Sequence, residues 1–366
     1  IFASALFIYG LVITLDRPSA RAYALLGLAT GIGMLSKYNF ALLPAATLVA
    51  VLFDPAFRKR LIDPRILISA IVEIIVIMPH AAWLVDNLDM ATQGTLNKLE
   101  ANTASGKWMQ IIIGVTSLFG ALVGFAGVTA LVFGLLYPRS LRQAARSDNR
   151  WSLLLARIMM AAVGLLILLV IFSDTTNIKD RWLSPIFLLL PLYLATKLDQ
   201  LDTEVEPRLS RIWSVAKIIL IVMPLVMLIR IPAHGWFGDY TKLNVDYQTG
   251  LTEILKRVPD QPAVILAGDV HFAGNLRFLR PDLPVLVNGY RQLIGDTRFT
   301  DATPVLVIWR GQKRDSMPEA LENWLKRSGQ PRPYTSDKLS VPYNFGRDGD
   351  AFLFGYALVW VDPSAN

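Results

Sequence analysis

Long apolar runs broken by short polar loops fill the first two thirds of the chain, and the remainder alternates on a much shorter period. A bilayer core takes ~20 apolar residues per helix. Eight stretches approach that length: 1–15, 21–36, 39–53, 66–85, 108–136, 151–172, 183–197 and 212–231. Little more than Lys37 and Tyr38 separates the second from the third, which predicts a tight hairpin whose tip stops near one membrane face. Beyond residue 231 the pattern predicts helices over 245–257 and 272–279, strands over 263–267, 285–287 and 304–309, and a helix from Pro318 to Arg327 with Gly329 just past its end. Two further strands fall near 333–341 and 351–359. The fold expected is a polytopic α-helical membrane protein of about eight transmembrane helices with a C-terminal extracytoplasmic α/β domain on a parallel or mixed sheet. Residues 1–231 make the transmembrane part and residues 232–366 the soluble part.

Charge orients the helices. Basic residues concentrate in four loops: Arg17 to Arg21, Arg58 to Arg65, Arg139 to Arg150, and Lys197 to Arg211. They alternate with less basic ones: the Lys37/Tyr38 tip, 86–107 and 173–182. Because basic loops stay in the cytoplasm, the second set faces outward and the last helix delivers residues 232–366 to the extracytoplasmic side of the inner (plasma) membrane.

Composition agrees with a membrane protein. The 366 residues are 53% hydrophobic and only 18% charged, against about 25% charged in soluble domains, and mean hydropathy is +0.43. The net charge of +7 belongs to cytoplasmic loops in such a chain, and nucleic acid is not an expected partner. The lack of cysteine excludes thiolate catalysis, iron–sulfur clusters, Cys-ligated zinc and disulfides. The three histidines have no metal-ligand spacing, so neither a metal nor a cofactor is expected. The chain starts at Ile1 inside an apolar run with no basic segment before it, which reads as a truncated N-terminus and not as a signal peptide.

The outward loop Ser173 to Trp182 carries Lys179 and Arg181 on the side where basic residues are disfavoured. Two cations at headgroup depth beside Trp182 suit an anionic phosphate with a hydrocarbon tail; ordinary interfacial anchoring uses the same residues with no ligand. Lys37, at the hairpin tip after Gly27, Gly31 and Gly33, serves either purpose. The glycines permit close helix approach, and Gly114, Gly120, Gly124 and Gly127 read as a second packing surface. Glu73 would pair with Arg157 or Lys217 inside the membrane. His80 lies near the outer end of its helix, ahead of Trp83, Asp86 and Asp89, the two aspartates being candidates for acceptor contact or metal binding, or else solvated helix ends. Gly268-Asp269-Val270-His271 sits between a strand and a helix, where α/β folds bind ligands and where Asp269 would equally serve as a helix N-cap.

Three segments carry a family likeness. They are Gly27-Leu-Ala-Thr-Gly-Ile-Gly-Met-Leu-Ser-Lys-Tyr-Asn-Phe40, Pro79-His-Ala-Ala-Trp83 and Lys179-Asp-Arg-Trp-Leu-Ser-Pro185, the last being the most specific. They resemble the bacterial family 39 membrane glycosyltransferases of the C superfamily, relatives of the protein O-mannosyltransferases and the lipid A aminoarabinose transferase. The likeness covers most of residues 20–200, and Gly268 to Pro281 resembles the opening of the outer domain of such enzymes. It implies sugar transfer, on the outer face, from a polyprenyl-phosphate-linked donor to a lipid, glycan or protein acceptor among the membrane lipids. By matching motif, Lys37, Lys179 and Arg181 would hold the donor phosphate with Tyr38 and Trp182 lining the site; His80 joins the lining, and Asp86 and Asp89 are the acceptor candidates by position. The family's catalytic acid lies in its first outward loop, which places it upstream of Ile1. The competing readings are a transporter or lipid flippase, whose midplane polar residues are sparse here, and a non-catalytic assembly subunit.

Overall fold

The computed structural model describes residues 1–88, 106–146, 148–173, 175–199, 201, 206–287, 299–312 and 316–363, with side chains left out at 206–209 and 211. Asp89 therefore lies outside the described residues. The chain divides into two compact units, Ile1–Val215 and Ala216–Asn366.

The first unit is helical: α1 (Phe2–Asp16), α2 (Ala20–Ser36), a 3₁₀ turn (Tyr38–Ala41), α3 (Leu42–Leu52), a 3₁₀ turn (Arg58–Arg60), α4 (Ile66–Asp86), α5 (Lys107–Leu136), α6 (Pro138–Ala144), α7 (Arg150–Phe172), a further 3₁₀ turn (Asp180–Trp182), α8 (Ser184–Phe187), α9 (Leu189–Leu198) and the start of α10 (Glu206–Phe237). Among the described residues four helices are long and apolar enough to cross a membrane: Ile66–Asp86, Lys107–Leu136, Arg150–Phe172 and Ile212–Phe237. The chain is thus a multi-pass helical membrane protein with a C-terminal α/β domain. The other apolar segments are shorter, and the physical causes are local. Pro191 removes a backbone donor near the α8–α9 junction. At 17 residues α2 is about 26 Å long by helical rise, against ~30 Å of hydrocarbon.

Two glycines let α2 run against α4. A Cβ on Gly27 would meet the Ser69 carbonyl oxygen at 2.1 Å, and one on Gly31 would meet Val76 at 2.7 Å. Gly33 receives the Phe40 ring, which folds the hairpin tip back onto α2. Buried Leu43, Ala46 and Ala50 of α3 and Leu154, Ile158 and Ala162 of α7 share one core. The Arg157 guanidinium pairs with buried Asp54, not with Glu73. Asp54 follows α3, the helix packed on α7, whereas Glu73 belongs to α4, which packs on α2; among the described residues Glu73 has no ion pair.

Hydrogen bonds gather the loops into two sets. Arg60 Nε donates to the Leu15 carbonyl (3.3 Å), Arg65 Nη1 to that of Pro18 (2.8 Å), and Arg150 Nη2 to Asp16 (2.6 Å). Lys197 pairs with Asp148. Arg65 also grips Asp63, whose hydrogen bonds from the guanidinium and the Arg65 backbone N–H hold its carboxyl at about 2. All these basic groups cluster where α2, α4 and α7 begin. The hairpin tip after α2, His80 of α4 and the 3₁₀ turn Asp180–Trp182 form the second set, through Tyr38–His80 and Asn39–Trp182 bonds.

In the second unit, α11 (Tyr247–Arg257), α12 (Val270–Leu279) and α13 (Glu319–Ser328) accompany a sheet of β1 (Val264–Ala267), β2 (Val285–Val287), β3 (Thr303–Arg310), β4 (Gln330–Pro331), β5 (Asp337–Pro342) and β6 (Ala351–Asp362). The order is β2-β1-β3-β6-β4, with β5 also on β6. β1 is parallel to β2 and β3, and β6 is antiparallel to β3, β4 and β5, so the sheet is mixed. Ile265, Phe272, Val307, Leu325 and Val359 are among its wholly covered core residues. The Trp309 ring lies over Gly355, where a Cβ would come within 2.3 Å of its indole nitrogen, which keeps β6 against β3.

Candidate active site

The segment Thr175–Arg181 is laid along α5. Gly114 allows the Thr175 carbonyl to approach, since a Cβ there would lie 2.6 Å from that oxygen. The Ser117 hydroxyl then accepts from the Ile178 N–H (2.9 Å) and donates to the Ile178 carbonyl (3.1 Å). With Thr175, Thr176 and Ile178 buried, the loop holds a defined course although it has no repeating structure before the 3₁₀ turn. Its end is fixed by the Ser184 hydroxyl, which donates to the Arg181 carbonyl (2.9 Å).

Beyond Ser117 the fit loosens. Gly120, Gly124 and Gly127 have nothing within 4 Å of a notional Cβ, so the packing role expected of them is not found; only Gly114 of that series packs closely. Gly120, Ala121 and Gly124 instead form one wall of a cavity of about 490 Å³, whose other wall is Asn177, Ile178, Lys179, Asp180 and Arg181. Small side chains on the helix leave this space, and the loop supplies the charge. Lys179 is half-buried and Arg181 exposed. Among the described residues neither makes an ion pair. The Asp180 carboxylate accepts from the Arg181 backbone N–H (2.7 Å).

A second group forms at the end of α2 and α4. The Tyr38 hydroxyl lies 2.8 Å from His80 Nε2, the two rings stack at 5.8 Å, and His80 stacks on Trp83 at 5.5 Å. Tyr38 and Trp83 are exposed, which leaves ring surface open. Asn39 Nδ2 donates to the Trp182 carbonyl (2.7 Å), tying the hairpin tip to the 3₁₀ turn that carries Arg181 and Trp182. Lys37, exposed, precedes this column but does not line the cavity. Asp86 is exposed at the end of α4.

The family model described as dolichyl-phosphate-mannose-protein mannosyltransferase matches residues 1–83. Over 364 residues, 99% of this chain and 72% of the relative, the chain is 38% identical to the lipopolysaccharide core galacturonosyltransferase RgtB of Rhizobium johnstonii. It is 35% identical over 369 residues to RgtA of the same organism, covering 99% of this chain and 73% of that protein. The chain belongs to this family of membrane glycosyltransferases. No solved structure matches it at a significant level.

As a membrane glycosyltransferase it unites most of the residues expected to matter. Tyr38 and His80 form one group, Lys179 and Arg181 another, and Asn39 and Trp182 connect them. Six residues that shape this geometry had been given no role: Ser117, Ala121, Asn39, Asn177, Ile178 and Asp180. For the first two a signal existed, because Gly114, Ser117, Ala121 and Gly124 recur at helical spacing and mark one face of α5. Asn39 had none, since its partner is a backbone carbonyl far along the chain.

In the α/β domain Asp269 caps α12, accepting from the backbone N–H groups of His271 (2.9 Å) and Phe272 (3.0 Å), and also accepts from Arg310 Nε of β3 (2.8 Å). Burial alone would raise its pKa, but the Arg310 bond and the two backbone donors outweigh it and hold the carboxyl low. His271, 3.3 Å from the Tyr247 hydroxyl, is kept below its ordinary pKa by burial and by Lys242. A histidine held neutral binds fewer protons folded than unfolded. Its stabilising contribution is therefore complete above about pH 6.5 and lost as pH falls through the lowered folded value. The expected result is that melting temperature drops between pH 7.5 and pH 5 and that His271→Gln flattens part of this drop. Equal slopes for both proteins would remove His271 as the cause.

Proposed function

We propose that the chain transfers a uronic sugar, galacturonic acid as in the named relatives, from a polyprenyl-phosphate-linked donor to the lipopolysaccharide core on the outer face of the inner membrane. The observation that carries this reading is the cavity between α5 and the Lys179–Arg181 segment, in which two cations that make no ion pair among the described residues stand beside an apolar helix. A lipid phosphate needs positive charge at the interface and an apolar surface for its tail. In the reaction the acceptor hydroxyl gives its proton to a carboxylate base as its oxygen bonds the anomeric carbon, the anomeric carbon–phosphate oxygen bond breaks, and the charge grows on the departing phosphate. Lys179 and Arg181 stabilise that charge from the cavity wall, and Lys37, outside the cavity lining, adds a third cation from the hairpin tip. The Tyr38–His80–Trp83 column offers ring faces to the sugar, Trp182 backs it, and Asp86 and Asp89 address the acceptor.

The sidedness has independent support. The basic loops that the positive-inside rule assigns to the cytoplasm bond one another at one end of the helices. The loops with the site residues bond one another where α2 and α4 finish. In this reading the chain crosses the bilayer eight times, counting the shorter helices, and residues 232–366 stand outside the cytoplasm.

The test is transfer in vesicles holding the purified protein, lipopolysaccharide core and either polyprenyl-phosphate-linked or nucleotide-linked galacturonic acid. The lipid-linked donor should give a mass increment of one uronic acid on the core, and the nucleotide-linked donor none. The reverse preference would overturn the donor class.

A further inference from the structure

The last turn of α10 and the β5–β6 hairpin meet in an unusual way. Gly235 has no room for a side chain, since a Cβ would lie 1.8 Å from the Phe345 carbonyl oxygen. Arg347 donates through its guanidinium to the Trp236 carbonyl. Tyr240 stacks flat on Tyr343 at 4.0 Å between ring centres, donates to Asp350 (2.5 Å) and accepts from the Arg347 N–H (3.0 Å). Asn244, wholly buried, donates to the carbonyls of Ile231 (3.0 Å) and Asn344 (3.1 Å), while its own carbonyl accepts from the Asn344 N–H (2.7 Å). The hairpin tip is thereby clamped to the end of a membrane-crossing helix.

At that tip Phe345 has φ +59° and is 63% exposed. Among the described residues it is the one non-glycine with positive φ. The left-handed region disfavours a side chain of this kind, and a tip that needed only the turn would carry glycine or asparagine. The chain instead presents an aromatic ring to its surroundings in a strained conformation. Trp236 (66%), Phe237 (79%) and Leu243 (60%) are likewise exposed.

We propose that Phe345, Trp236, Phe237 and Leu243 form an interfacial membrane-docking face that seats the α/β domain on the lipid bilayer crossed by α10. The occupant follows from continuity: Trp236 and Phe237 end the Ile212–Phe237 helix, which is long and apolar enough to cross a membrane and on which Ile218, Leu220, Leu228 and Ile229 are exposed among the described residues, so a bilayer that takes up this helix meets the aromatic face at its end. Aromatic side chains are favoured at headgroup depth, where exposed apolar area is covered without a protein partner. The clamp at Asn244 and Gly235 transmits the anchoring, so the sheet is held at a set distance from the membrane and cannot swing freely. The inference needs α10 to cross the bilayer and is independent of the donor, the acceptor and the face on which the domain stands.

Because the chain has no cysteine, single-cysteine variants give unique labels. The full chain is reconstituted into phosphatidylglycerol/phosphatidylcholine nanodiscs carrying an environment-sensitive fluorophore at Phe345→Cys, Leu243→Cys or Asp348→Cys. Labels at 345 and 243 should emit blue-shifted and be quenched several-fold more by nitroxide-bearing lipids than by aqueous iodide, with the opposite ranking at 348. Leu243→Cys keeps the test independent of the strained turn. Iodide quenching at 345 and 243 equal to that at 348 would overturn the proposal.

Discussion

Alanine at both Lys179 and Arg181 lowers sugar transfer by on the order of 10²–10⁴-fold, because hydrogen bonds to a charged group contribute about 1.5–3 kcal/mol apiece. Both residues line the cavity, and among the described residues neither has an ion pair, so no partner is left stranded by their removal. That makes folding insensitive and activity sensitive, the combination that separates a ligand-binding cation from a structural one. In the proposed reaction the charge on the phosphate grows as it departs, so the loss should fall on kcat more than on KM. Arg181→Lys should recover only part of the rate, since an ammonium lacks the two-pronged geometry that suits phosphate. The measurement is steady-state transfer with lipid-linked donor, alongside gel filtration to certify the fold. Wild-type turnover in the monodisperse double variant would mean that these cations are membrane anchors.

Gly27→Ala should destabilise the protein by an amount at or above the upper end of the ~1–3 kcal/mol typical of overpacked sites. The added Cβ would lie 2.1 Å from the Ser69 carbonyl oxygen, and a backbone atom cannot rotate aside as a side chain can. Relief requires α2 and α4 to separate. These helices lead into Tyr38 and carry His80 and Trp83, so separation also pulls apart the aromatic column. Gly120→Ala is the control: its Cβ would meet nothing within 4 Å. Thermal unfolding followed by size exclusion should show a lower midpoint for Gly27→Ala and an unchanged one for Gly120→Ala. Equal midpoints would refute the close approach of α2 to α4.

The contrast between those glycines shows where sequence reading stops. Gly27 and Gly120 look alike in the chain, each small and each followed by another glycine four residues on. Only the position of Ser69 against one and the open space beside the other distinguish a packing notch from a cavity wall. Arg157 is a similar case. A cation inside a helix demands a partner, and Glu73 was a reasonable one by depth, but helix adjacency assigns Asp54. His80 and Tyr38 each stood out in the sequence as candidates, while their mutual contact depends on α4 lying beside α2. The strands of the α/β domain were legible from alternation; the insertion of β6 beside β3 was not, since pairing partners far apart in the chain leave no local trace.

Membrane residence, the α/β character of the C-terminal part and membership of a glycosyltransferase family were already written in the order of the residues. Each rests on local chemistry: apolar length against bilayer thickness, alternation against a sheet face, and short motifs that keep their residue types together. The cavity at Lys179 and Arg181, the partner of Arg157 and the exposed left-handed Phe345 arose only on folding. They depend on which surfaces meet after helices separated by long stretches of chain have packed, and that is set by side-chain volume and backbone approach in three dimensions.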